Sequence, residues 1–188
     1  MSGYIPQELN DVDSAAFGEE NAPSFGDVNT NFLQSQYDRL KMGDSGVDFK
    51  DWSNNIYDFS RKTRTMESDN NPKARASDLH GEGFSAAGVY QFTDASVKTG
   101  KNRLGNMGYD QKYVDSVSDD ATEWDDDQSD AMFLGNLFAQ KGSDEPISEM
   151  GKGSEGMDWD VYSKFHHTDP DEATVTRGKD VFGDYAGI

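Results

Sequence analysis

The sequence predicts a mainly α protein, a small helical domain set between extended acidic, glycine-rich N- and C-terminal segments. Three observations lead there. Apolar residues in the middle of the chain recur at helical spacing, strand-like alternation is scarce, and both ends mix acids with glycine and proline without any period. Only 34 % of the 188 residues are hydrophobic, and 36 acidic against 17 basic side chains give a formal net charge of -19, a balance that leaves parts of a chain solvated. Eleven Phe, eight Tyr and three Trp are nonetheless more than an acidic coil carries, so a globular centre is expected.

Residues 1–44 read as an arm, because Asp11, Asp13, Glu19 and Glu20 alternate with Gly18, Pro23 and Gly26. Within it Leu33, Tyr37 and Leu40 allow a short helix of two or three turns, followed by a loop over 42–46. Residues 45–140 read as the domain. Phe49, Trp52, Ile56, Phe59 and Met66, with Thr63 filling the stripe, predict an amphipathic helix over 49–68. Asp48 or Asp51 supplies its start, and Asn70, Asn71 and Pro72 end it. A second helix is expected over 93–104, opened by Thr93 and closed near Gly105, and a short third over 110–117. A fourth is expected over 119–140, with Asp119 and Asp120 at its start and Trp124, Ala131, Met132, Gly135 and Phe138 on one face. Residues 141–188 read as a tail, with four glycines and a proline between Gly142 and Gly156 and a turn-like stretch at Asp169-Pro170-Asp171-Glu172. Both end segments are expected to order against a partner.

Composition also excludes function classes. No run of about 18 apolar residues exists to span a membrane, and Met1–Glu8 lacks the basic and apolar regions of a secretory signal. The absence of cysteine removes disulfides, thiolate metal sites and thiol nucleophiles. No phosphate-binding or dinucleotide fingerprint is present, and no cofactor is expected. The net charge opposes direct nucleic-acid binding and an anionic membrane surface. Charge is unevenly placed, at -8 over 1–60, +3 over 61–112 and -14 over 113–188. The basic stretch is either a solvated mixed surface or a cleft for a polyanion.

Glu67 follows the last apolar turn of the first strong helix. Beside the partial negative charge of a helix end and apolar neighbours such as Met66, a carboxyl group tends to keep its proton, as a general acid near neutral pH must. Downstream, Glu67-Ser68-Asp69-Asn70-Asn71-Pro72-Lys73-Ala74 is followed by Ser85-Ala86-Ala87-Gly88-Val89-Tyr90-Gln91-Phe92-Thr93. This pair of ordered motifs resembles the lytic transglycosylase family of the goose-type lysozyme superfamily, in the variant with Tyr-Gln-Phe in the second motif that is common in tailed-phage cell-wall enzymes. The resemblance implies a lysozyme-like helical domain, Glu67 as the single acid/base, and Ser68 as the neighbour that orients it or the substrate. It also implies that Gly88, Val89, Tyr90 and Gln91 line a saccharide cleft. A glycine at 88 would let the backbone approach the sugar. Tyr90 would stack on or hydrogen-bond to a ring, or else serve as a core aromatic.

The sequence departs from the family in two places. Asp78-Leu79-His80-Gly81-Glu82-Gly83-Phe84 lengthens the interval between the motifs, and the third motif, an Ala-x-x-Tyr-Asn-like stretch, has only a poor counterpart in Gly135-Asn136-Leu137-Phe138. Carboxylate count decides the mechanism. A hydrolase ordinarily flanks the bond with two carboxyl groups, which Asp78 or Glu82 would have to complete. The resemblance implies instead one glutamate that protonates the leaving oxygen and then assists the sugar's own 6-hydroxyl in closing a 1,6-anhydro ring. His80 reads as a surface residue, and His166-His167 with Trp159 and Asp160 lacks a third metal ligand at diagnostic spacing. Asp125–Asp130 lacks the glycine of a calcium loop.

The expected function is therefore cleavage of the MurNAc–GlcNAc bond of peptidoglycan by a virion-associated enzyme that aids genome entry. Its partners would be the glycan strand and, through the end segments, other tail or internal-core proteins, with action in the host periplasm. The alternative is a structural or ejection protein of the virion with a vestigial lysozyme-like domain that acts through its arms. A third class, an acidic mimic of DNA, is opposed by the basic centre.

Overall fold

The computed structural model describes residues 27–76, 86–166 and 171–183. Among the described residues there are eight α-helices, α1 Asp27–Arg39, α2 Phe49–Ser68, α3 Asp94–Met107, α4 Gln111–Ser116, α5 Asp126–Leu137, α6 Asp144–Gly151, α7 Met157–Val161 and α8 Glu172–Phe182, and one small hairpin of β1 Ala86–Ala87 and β2 Phe92–Thr93. Short 3-10 turns lie at Met42–Ser45 and Ala121–Glu123, and a π-helical turn, Tyr162–His166, continues α7.

The twenty residues of α2 form the axis, with α1, α6 and α8 packed against it. Asp48 caps its start by accepting the Asp51 N–H at 2.8 Å. Trp52, Ile56, Phe59, Thr63 and Met66 then fall on one face and are buried. The helix stops where Asp69 and Asn70 turn left-handed, at φ 54° and 61°, and the Asp69 N–H closes on the Thr65 carbonyl at 3.1 Å. On the other side of the molecule α3 packs along α5. Ser129–Gly135 of α5 are buried continuously, so this helix is enclosed on all sides.

The hairpin pairs Ala86 with Thr93 and Ala87 with Phe92. Arg75 bridges Ala87, the Ala76 N–H reaches the Ala86 carbonyl at 2.9 Å, and the Gly88 N–H reaches the Ala74 carbonyl at 2.9 Å. The stretch after α2 thus returns to the hairpin as a third short partner.

Two expectations change. The helix expected over 119–140 is interrupted, because Asp120 spends its carboxylate on the Thr122 N–H at 2.9 Å and Asp125 opens α5 with a reciprocal cap to Gln128. Competing acidic caps stop the first turn from running into the second. The core also continues through both expected boundaries, at 44 and 140. Leu33 and Met42 enter it from one side, and Ile147, Met150, Trp159, Val161, Tyr162 and Phe182 from the other. In 144–182 these residues keep helical spacing, while the glycines and acids between them dominate the composition. Trp159 packs against Gly178, where an added Cβ would lie 2.4 Å from the ring. Among the described residues no helix is long and apolar enough to cross a membrane.

Candidate functional site

Glu67 lies in the last turn of α2, and its side chain is only 12 % exposed. The Tyr162 hydroxyl donates to its Oε1 at 2.6 Å. His166, one turn further along, brings Nε2 to 3.6 Å from the same oxygen. Burial first, and the neighbouring Glu67 carboxylate second, hold the Tyr162 phenol above its ordinary range, so it remains a donor. Phe182 and Trp159 wall the phenol at centroid distances of 5.1 and 5.6 Å, and Phe133 meets the His166 imidazole edge-on at 5.7 Å. A helix-end glutamate of this sequence would sit in solvent were α7 and its π turn not folded over it.

Ser68 faces the hairpin turn, and its Oγ lies 2.9 Å from the Val89 carbonyl and 3.2 Å from that of Arg64. It ties the end of α2 to the second motif. Gly88 is buried at φ 76°, and a Cβ there would lie 2.7 Å from the Ala121 carbonyl oxygen. The glycine is required by this approach of two backbones. Gln91 also turns left-handed, at φ 51°, and its amide donates to the Gly88 carbonyl at 2.8 Å, closing the turn on itself.

Val89 and Tyr90 point inward. Of its two readings from sequence, Tyr90 takes that of a core aromatic. Its ring is buried and stacks on Phe133 at 4.3 Å, and its hydroxyl donates to Asp130 Oδ1 at 2.5 Å beside the Ser60 Oγ. Asp130 is fully buried, with Arg64 Nη1 3.7 Å away. Burial pushes its carboxyl up to about 7, against the opposing pull of the Tyr90 hydrogen bond and the Arg64 charge. Arg64 itself reaches Asp126 at 2.6 Å. This Ser60–Tyr90–Asp130–Arg64 network clamps α2, the second motif and α5 together directly behind the Glu67 turn.

The structure therefore brings Glu67 and Ser68 to one end of α2 with the Gly88–Gln91 turn locked against them. It does not place the Val89 and Tyr90 side chains beside an open surface. Asp78, His80, Glu82 and His167 lie outside the described residues. Among the described residues no three His, Asp or Glu side chains group as metal ligands, and His166 is turned towards Glu67.

Sequence reasoning missed Tyr162, Asp130 and Arg64. Tyr162 is 95 residues from its partner in a stretch read as tail, and only the Trp159–Tyr162 spacing hinted at a helix face. Asp130 read as one more acid in a run of them. The basic segment pairs largely with carboxylates of the acidic segments on either side of it. Arg61 and Lys62 pair with Asp58, and Lys62 also with Asp158; Arg64 pairs with Asp126, Arg75 with Asp120 and Lys101 with Asp119. Lys73 and Arg103 donate to the Thr122 carbonyl and to Asn136. Folding thus sets much of the basic segment's charge against the acidic segments that flank it.

No family model matches the chain, and comparisons with curated proteins and with solved structures also yield no match.

Proposed function

We propose that the protein is a peptidoglycan lytic transglycosylase carried in a tailed-phage particle, with Glu67 as its single acid/base. The observation that carries this reading is the setting of Glu67, which lies at a helix end, largely withdrawn from solvent, with the Tyr162 hydroxyl 2.6 Å from its Oε1. In the proposed reaction the Glu67 carboxyl protonates the leaving glycosidic oxygen. The resulting carboxylate is stabilised by the Tyr162 donor, which strengthens its bond as negative charge develops. The carboxylate then takes the proton of the sugar's 6-hydroxyl as that oxygen attacks the anomeric carbon, which regenerates the acid. Ser68 and the Gly88–Gln91 turn fix the backbone beside the acid. The virion setting rests on the Tyr-Gln-Phe variant of the second motif, and the end segments would join the enzyme to other virion proteins.

The burial of Val89 and Tyr90 favours the second reading, a virion structural or ejection component whose lysozyme-like domain no longer grips a glycan. One experiment separates the two. Purified peptidoglycan is incubated with the wild type and with Glu67→Gln, which keeps the shape but removes the proton donor, and the products are read by mass spectrometry. Anhydro-ended muropeptides from the wild type alone are expected. Reducing-end products would replace transglycosylation by hydrolysis and direct attention to Asp78 and Glu82. No products from a folded wild type would leave the structural role.

A further inference from the structure

Of the three histidines in the chain, His166 lies among the described residues, and its imidazole meets the candidate acid. We propose that His166 is a positioning residue that acts through Glu67, an imidazole whose charge sets how readily the Glu67 carboxyl is available as an acid. The proposal deepens the glycan-cleaving reading by adding regulation at the same site, but its first test does not depend on that reading.

The geometry is specific. Nε2 of His166 lies 3.6 Å from Glu67 Oε1, beyond a good hydrogen bond but close enough for strong charge coupling, with the two side chains 21 % and 12 % exposed. The imidazole is held in place rather than free to swing away. Phe133 of α5 meets it edge-on, and the Tyr162 ring lies at 5.7 Å on the same π-helical turn. On that turn Tyr162 and His166 stand four residues apart, and both address one carboxylate oxygen.

The other charged groups nearby are already engaged. Arg177 of α8 acts electrostatically on Tyr162, and its Nη2 is spent on the Thr65 carbonyl at 2.6 Å and on Asp69 at 2.5 Å. Asp130, one turn before Phe133 on α5, accepts from the Tyr90 hydroxyl at Oδ1, and burial raises its carboxyl to about 7. Lys164, on the π turn itself, lies over the Phe165 ring. Among the described residues, His166 is thus the titratable cation at Glu67 whose ordinary range spans neutral pH. An imidazolium at that distance favours the carboxylate and depletes the acid. A neutral imidazole, or a glutamine in its place, removes that bias.

The first test follows the imidazole C–H signals of the whole chain by NMR across pH, with His166 assigned by its loss in His166→Gln. Removing the carboxylate in Glu67→Gln is expected to lower the His166 titration midpoint by about one pH unit, because an adjacent carboxylate favours imidazolium. An unchanged midpoint in a folded Glu67→Gln protein overturns the proposal, whether or not the protein cleaves glycans. The second test measures the pH profile of anhydro-muropeptide release. In His166→Gln the alkaline limb of kcat/KM is expected to move to higher pH. A uniform loss across pH would make His166 merely structural and also overturn the proposal. A shifted NMR midpoint without any glycan cleavage retains the coupled pair and removes only the glycan substrate.

Discussion

Asp130 carries a carboxyl group into a fully buried position on α5, where Tyr90 donates to Oδ1 and Oδ2 has no hydrogen-bond partner. An ionised carboxylate in that position is costly, and burial raises the group to about 7 despite Tyr90 and Arg64. The sign of the resulting pH dependence follows from linkage. The folded value exceeds the unfolded one, about 3.9, so the group's contribution is fully present below about pH 4 and is lost as pH rises through about 7. Between pH 5 and pH 8 the wild type is expected to lose on the order of 2 kcal/mol more stability than Asp130→Asn, read from urea midpoints. Equal losses would show that Arg64 keeps Asp130 charged throughout. The sequence could not reveal this residue's status, because one aspartate among Asp125, Asp126, Asp127 and Asp130 becomes special only when Tyr90, forty positions earlier, is packed against it. Glu67 was legible, since its neighbours Ser68 and Gly88–Gln91 lie within a short span; its donor Tyr162 was not.

At the scale of the element, α2 shows how far local chemistry reaches. Its apolar stripe, its start at Asp48 and its end before Asn70 all follow from near-neighbour rules, and the observed Phe49–Ser68 matches the expected span. Replacing Asp48 by alanine leaves the Asp51 N–H without its 2.8 Å partner and is expected to cost about 1 kcal/mol in chemical denaturation. A cost near zero would show that packing alone sets this end. Helix α5 illustrates the opposite case. Its expected start at Asp119 or Asp120 yields to Asp125, because several residues in the stretch can cap a helix and only the tertiary fit of Trp124 and Ala121 selects among them. The hairpin escaped notice for a related reason. Two-residue strands carry no alternation to read, and they exist because Arg75 and Ala76 line up beside them.

For the whole molecule, composition misleads where spacing does not. The stretch after residue 140 looks like an acidic, glycine-rich tail, yet Ile147, Met150, Trp159, Val161, Tyr162 and Phe182 complete the core around α2. These contacts are reached only across nearly a hundred residues, so no window-based reading assembles them. A chain ending at residue 140 would expose the buried face of α2 and strip Glu67 of Tyr162 and His166. It is expected to lose near-UV circular dichroism and cooperative thermal unfolding, with helical far-UV signal partly retained. A truncated chain that still unfolds sharply would restore the tail as an appendage.

The pairing of Ala76 with Ala86 bears on the extra length between the two sequence motifs. Ala76 and Ala86, the described residues on either side of 77–85, face each other across the ladder, with the Ala76 N–H on the Ala86 carbonyl at 2.9 Å. Whatever the intervening segment contains, its two ends are already fixed a strand's width apart, and each doubling of its length adds only about 0.6 kcal/mol of closure entropy. Drift in loop length at this point therefore leaves the acid and the Gly88–Gln91 turn in register. Related chains would then be better compared by Ala76 and Ala86 than by the number of residues between them.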